Sequence, residues 1–367
     1  MERKYRRYLI IAGILLFVIY IFAAAQPVPQ ETILSSRWIH SLVSTYPMPS
    51  RERETEDIQQ DELIPFQLGN YFGYVDKDGN FTINQIKRGY ISLSKQNWAE
   101  YTAIPERITV RNSKNEQVLS IDTDMGYPLF LDNRVFLINR EQNAVYSINE
   151  QGETNWSYAF ASPLTCIDAA SGFLLVGSLD GKIEVLDDNG ICIFSFEPSG
   201  SRLSIIVGCA FSRDGSKIAI ISGIDEQRFL FMEKLGDTLE NEYRVIYHEF
   251  LGRGFRRPVH VTFVDDDNKV AFERQAGLGL YDIPTRASIA LPMKGEVVAI
   301  DEDGSGGQLF VITSQSSDDK YLTTIQFPGT VIGQSHFKSK YIFMDRQGTT
   351  LYIGGGTTLA AFEISKK

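Results

Sequence analysis

The chain has 367 residues, 43% hydrophobic and 12% aromatic, with a formal net charge of −10. That apolar content suffices for a large core, and 23 Phe, 17 Tyr and 30 Gly favour strands joined by tight turns over helices. The acidic balance argues against nucleic acid or an anionic lipid surface as the main partner of the body, and three cysteines give no even-numbered disulfide framework.

Residues 1–8 hold Arg3, Lys4, Arg6 and Arg7 against Glu2, so the remainder carries −13. An apolar run of 17 residues follows, Leu9 to Ala25, near the lower limit for a helix that spans a bilayer. Basic residues just before it predict that residues 1–8 form a cytoplasmic tail and that the body lies across the membrane. Ala23-Ala24-Ala25 offers a cleavage site as the alternative. The bulky Phe17, Tyr20 and Phe22 favour an uncleaved signal-anchor over residues 9–25, with a single pass through the inner membrane and the body in the periplasm or its equivalent. No Cys follows the run, so the expected anchor is protein and not lipid.

Residues 26–65 read as a linker or stalk, broken by Pro27, Pro29, Pro47 and Pro49. Within it, Ile33, Leu34, Trp38, Ile39 and Leu42 recur at near-helical spacing. They predict either a short amphipathic helix at the membrane or a partner, or a stalk segment that docks on its own domain. Arg51 to Glu62 is dense in charge and reads as solvated.

Over residues 66–367 a phrase of short apolar runs and polar turns returns seven times, near Tyr90, Arg134, Phe173, Lys217, Lys269, Gln308 and Thr350. The intervals are 44, 39, 44, 52, 39 and 42 residues. Such a period, filled with strands, is that of a propeller blade. The expected fold is all-β, a seven-bladed β-propeller behind an N-terminal transmembrane helix. Four strands are legible between Pro128 and Phe160, and four more between Leu164 and Phe196. Tyr71 to Asn84 reads as two runs about an Asp76–Gly79 turn, either one hairpin or strands of adjacent blades. The last unit, Thr349 to Ile364, stops one strand short. Ring closure is expected from Tyr71–Val75 pairing with Leu359–Ile364.

Cys209 to Gly223 resembles the second half of a WD repeat, as does Leu164 to Asp187 with Asp180-Gly181 at the turn before the third strand. Ala144 to Phe160 is similar to a quinoprotein-like blade, with Gly152 and Trp156 at the matching turn and strand positions. The likeness covers roughly residues 66–367 as repeat grammar; the Trp-Asp dipeptide and the Gly-His pair are absent. In plan the chain resembles the accessory subunit of the bacterial outer-membrane barrel-assembly machinery. The resemblance implies a rigid ring that binds other proteins.

Residues that carry chemistry are sparse. His40, His248, His260 and His336 are not at metal-ligand spacing. Cys166, Cys192 and Cys209 lie in apolar strand-like runs and read as small core residues; a disulfide between two of them is the alternative in an oxidising compartment. The adjacent cysteine pair of quinoprotein dehydrogenases is absent. Asp265-Asp266-Asp267 reads as a solvated turn before a calcium site, and Gly354–Gly356 as a bend before a phosphate cradle. The longest interval holds residues 236–258, where Arg253, Phe255, Arg256 and Arg257 cluster. They are the candidate partner-binding residues, suited to an acidic protein segment; the alternative is an elongated hairpin with a solvated charged tip. No catalytic residue, metal or cofactor is expected. The expected function is a membrane-tethered, extracytoplasmic scaffold with envelope or membrane proteins as partners. The alternative is a ligand-binding or catalytic propeller, which would show convergent carboxylates with perturbed titration at the channel mouth.

Overall fold

A computed structural model describes residues 5, 8, 13–20, 32–43, 62–122, 126–236 and 243–366. Its described strands form eight antiparallel sheets arranged as a ring of blades. Blade one spans 64–86, two 90–122, three 126–159, four 164–196, five 206–252, six 261–292, seven 296–338 and eight 342–366. Blades two to seven each have four strands from consecutive sequence, and blade one has three. Neighbouring blades touch in chain order, mostly through their innermost strands, with Gly277–Asp282 of blade six meeting the inner strand of blade seven, and blade eight returns to blade one.

The core is a set of wedges between blades. Middle strands are buried along nearly their whole length, as in Phe173–Ser178 and Lys269–Arg274, because a blade covers each face. Outer strands such as Thr154–Ala159 alternate between half-buried and exposed. Between blades five and six, Phe229 stacks on Phe272 with ring centroids 4.2 Å apart, and Phe231 and Tyr281 fill the same wedge.

The count is eight blades and not seven. The four-strand readings of 128–160 and 164–196 hold, as does the Asp76–Gly79 hairpin: Tyr71–Val75 and Phe81–Ile86 pair antiparallel within one sheet. That hairpin belongs to a blade of its own. Blade one is hidden from a period search because its three strands occupy only about half a repeat. It also runs in an unusual sense. A Cβ at Gly69, just after Ile64–Leu68, would stand 2.9 Å from the ring of Tyr341, in the loop that enters the inner strand of blade eight. Ile64–Leu68 therefore runs against Ile342–Gln347, as the second strand of a blade would. Among the described residues Ile64–Leu68 is the innermost strand of blade one and touches the inner strands of blades two and eight.

Ring closure also differs from the expectation. The outer strand of blade eight is Thr32–Ser41, which pairs antiparallel with Thr358–Lys366 from Thr32↔Lys366 to Ser41↔Thr358. Tyr71–Val75 pairs instead with Ile64–Leu68. The helical spacing of Ile33, Leu34, Trp38, Ile39 and Leu42 is thus overruled by edge pairing: the free edge of blade eight supplies a ladder that a strand satisfies and a helix cannot. Leu34, Trp38 and Leu42 face the blades, Leu42 being buried beside Ile64, Phe66 and Leu359. The Trp38 indole N–H donates to the Lys77 carbonyl at 3.0 Å, tying blade eight to blade one.

At the N-terminus, residues 13–20 are helical. Among the described residues no helix is long and apolar enough to cross a membrane. This overturns the expected signal-anchor span, since about 20 residues are required; residues 9–12 and 21–25 of that run lie outside the described residues, as do residues 51–61 of the charged linker.

Candidate functional site: the channel mouth and the connector into blade six

Three innermost strands end in acids on the face where the first strand of each blade turns into the second. Asp168 stands on blade four, Asp345 on blade eight, and Asp301 and Glu302 follow the inner strand of blade seven. Burial pushes the Asp168 carboxyl up to about 6, although it accepts amide hydrogen bonds from Phe211 of blade five at 2.7 Å and from Ala169 at 2.8 Å. Burial likewise lifts Asp345 to about 6, with Glu302 and Asp301 adding to the rise and Lys95, from the first turn of blade two, opposing it. Glu302 is raised for the same reason and is also answered by Lys95. Solvent reaches Glu302, yet protein surrounds it on most sides; the channel reconciles these facts. One oxygen of Asp345, Oδ2, is buried without a hydrogen-bond partner among the described residues. Asp301 differs from the others. It is buried against Arg346 at 2.9 Å, and its carboxyl still sits above its ordinary value because burial outweighs the pairing.

Along the same channel, inner strands of blades four to seven enclose a cavity of about 180 Å³, whose lining includes Cys166, Cys209, His260 and Glu302. Burial depresses the His260 imidazole, so it is neutral at pH 7.

Around the mouth, side chains bind one blade to the next. Arg134 of blade three reaches Asp188 at 2.7 Å and the carbonyls of Gly172 and Phe173, both at 2.8 Å, on blade four. Arg213 of blade five gives its amide to Asp267 at 2.8 Å and its guanidinium to Asp266 at 3.1 Å, both on blade six. Asp265 is taken by Lys269 at 2.6 Å. The three-aspartate run therefore spends its carboxylates on protein partners. All three residues sit at positive φ, 58°, 51° and 60°, which short polar side chains tolerate. Among the described residues no group of three His, Cys, Asp or Glu side chains could hold a metal ion.

The opposite face carries the connectors between blades. The extra length near residue 236 is divided. Part lengthens the hairpin of Gln227–Lys234 and Tyr243–Gly252, whose tip, residues 237–242, lies outside the described residues. The rest, 253–260, leads into the inner strand of blade six and holds the basic cluster. Its members do not act alike. Arg257 lies 4.5 Å over the Phe255 ring and grips Glu273 with two bonds of 3.0 and 2.7 Å. It also meets Glu296 of blade seven at 3.2 Å. The Glu273 side chain is 1% exposed, so Arg257 neutralises a buried charge and holds blades six and seven together. Arg253 and Arg256 are exposed and have no ion-pair partner among the described residues. Exposed Ile86, Tyr90, Ile104, Leu203 and Tyr341 lie on the same face, and Tyr90, Tyr101 and Tyr127 stack in a row across blades two and three.

Gly354 and Gly355 lie in the second strand of blade eight and Gly356 in its turn. A Cβ at Gly354 would come 2.9 Å from Leu68 of blade one, so this glycine run admits the neighbouring blade. The carboxylates of the channel mouth escaped sequence reasoning. A signal for them exists: an acid follows an apolar residue near the exit of the first strand in three units, at Ile167-Asp168, Ile300-Asp301 and Met344-Asp345.

Comparisons with known proteins agree with this architecture. A Treponema pallidum (strain Nichols) protein described as uncharacterized is 25% identical over 369 residues, covering 99% of this chain and 95% of that one. The crystal structure of BamB from Moraxella catarrhalis superposes with a TM-score of 0.55 at 12% identity, over 90% of this chain and 100% of that one. The computationally designed Ika8 protein gives 0.58 at 13% identity, over 83% and 97%. At such identities the two structures speak for fold alone. A family model described as beta-propeller protein matches residues 1–367, and the chain belongs to that family.

Proposed function

We propose that this protein is a non-enzymatic, extracytoplasmic scaffold that docks other proteins of the cell envelope on the connector face of its ring. One observation carries the reading: several of the charged groups at the channel rim are spent on holding blades together, whereas on the connector face Arg253 and Arg256 have no ion-pair partner among the described residues and share that face with exposed apolar side chains. Aromatic and Arg side chains of that kind anchor protein interfaces. The closed ring holds them at fixed spacing and needs no catalytic group. The resemblance in plan to the accessory subunit of the barrel-assembly machinery points the same way, as does the net charge, which disfavours nucleic acid.

The test is capture from detergent-solubilised envelopes with the tagged protein and with Arg253→Glu/Arg256→Glu. Partners recovered with the first and lost with the second support the proposal, provided both melt alike. Unchanged recovery would remove the connector face from consideration.

A second reading has an observation of its own. Asp168, Glu302 and Asp345 converge with raised pKa values, the pattern of a channel-mouth ligand site. A ligand held there would quench or shift those titrations, whereas a docking partner on the opposite face would leave them alone.

A further inference from the structure

Cys166 and Cys209 stand on the innermost strands of neighbouring blades, four and five. Both line the same channel cavity. Asp168, two residues beyond Cys166, accepts the amide hydrogen of Phe211, two residues beyond Cys209, at 2.7 Å, so the two inner strands run side by side and bring the cysteines opposite one another. Cys166 is also among the groups that raise the Cys209 thiol. Gly177 is the cross-strand partner of Cys166. A Cβ on Gly177 would lie 2.5 Å from the Cys166 sulfur, so the missing side chain leaves room where the two sulfurs meet. Cys192 lies apart, on the outer strand of blade four, with its thiol turned to the Phe194 carbonyl at 3.3 Å. The first two cysteines thus meet across a blade boundary, and the third does not.

We propose that Cys166 and Cys209 are a redox pair that closes to a disulfide between the channel walls of blades four and five. In the step one thiol loses its proton, and the thiolate attacks one sulfur of a disulfide oxidant and expels the other as thiolate. The second cysteine then attacks the mixed disulfide. Two hydrogens leave the pair, the oxidant takes up both electrons, and it departs as two thiols. The oxidant is a low-molecular-weight disulfide or the disulfide of a thiol oxidoreductase, of the kind found in an oxidising compartment. Burial holds the Cys209 thiol protonated, so closure is slow near neutral pH and quickens toward alkaline pH. Once closed, the bond adds a covalent link between two inner strands already joined by packing and by the Phe211–Asp168 hydrogen bond, and it places a sulfur bridge in the cavity wall beside His260.

The experiment equilibrates the full chain in oxidised and reduced glutathione, quenches with acid, alkylates under denaturing conditions and maps peptides by mass spectrometry. The expected result is one intramolecular link between Cys166 and Cys209 with Cys192 alkylated, and a thermal midpoint that falls on reduction. Cys192→Ser should keep both the link and the shift; Cys166→Ser should lose both. Three alkylated cysteines across the whole potential range overturn the proposal. So do glutathione adducts without an internal link, or any link through Cys192. Should Cys166→Ser fail to fold, the mapping on the unaltered chain and on Cys192→Ser decides the matter.

Discussion

Asp345 shows how one residue can work against the fold it belongs to. Its carboxyl and that of Asp168 titrate near 6 in the folded chain, above the ordinary value of 3.8. The folded state therefore holds protons that the unfolded state has released between about pH 4 and pH 6. Their contribution is fully present in acid and is lost as pH rises through that window. Asp345→Asn removes one charge that must be buried at pH 7. We expect it to raise stability there by about 1–3 kcal/mol and to leave stability at pH 4 nearly unchanged, as read from denaturant melts at both values. A gain of equal size at both would show that the carboxyl is not strained. Arg257 is the opposite case. Arg257→Ala leaves Glu273 charged and buried, at an expected cost of about 2–4 kcal/mol. Arg253→Glu and Arg256→Glu, on the exposed side of the same connector, should each stay within about 0.5 kcal/mol. Chemical denaturation of the three variants tests this separation.

Among elements, Thr32–Ser41 does the most for closure. It is the only strand of blade eight drawn from the other end of the described chain, and it covers an edge that Thr358–Lys366 would otherwise present to other molecules. Removing residues 1–43 should lower the thermal midpoint and expose a ladder prone to pairing between copies. Calorimetry and light scattering on the truncated chain check both effects. Trp38→Ala, which loses the contact to Lys77 and half-buried ring packing, should cost about 1–3 kcal/mol. This element also marks a limit of the sequence. Its apolar residues fit a helical stripe, and nothing local shows that an unpaired edge awaits them some 320 residues away. Blade one was missed for a related reason: a three-stranded blade has no full period to detect, although its hairpin turn at Asp76–Gly79 was plain.

For the whole molecule, the ring separates two faces. One gathers aspartates and glutamates about the channel mouth and uses many of them to bind blade to blade. The other keeps exposed apolar side chains and two arginines with no ion-pair partner among the described residues. Charge reversal on each should have different consequences. On the connector face it should change what the protein binds, and at the mouth it should change how it melts with pH.

The sequence by itself determined the strand grammar: alternating runs and turn residues at a near-regular spacing dictate blades, because only stacked sheets bury so many short, half-apolar strands. It also located Arg253–Arg257, since extra length in a ring must emerge as connector or hairpin. Tertiary structure alone decided how many blades close the ring, which end supplies the last strand, and that Arg257 is structural while Arg253 and Arg256 are exposed. It alone brought Asp168, Glu302 and Asp345 to one mouth and Cys166 to Cys209. Each of these depends on which blade lies beside which. Such contacts join residues far apart in the chain, and a local pattern cannot encode a distance that only ring closure sets.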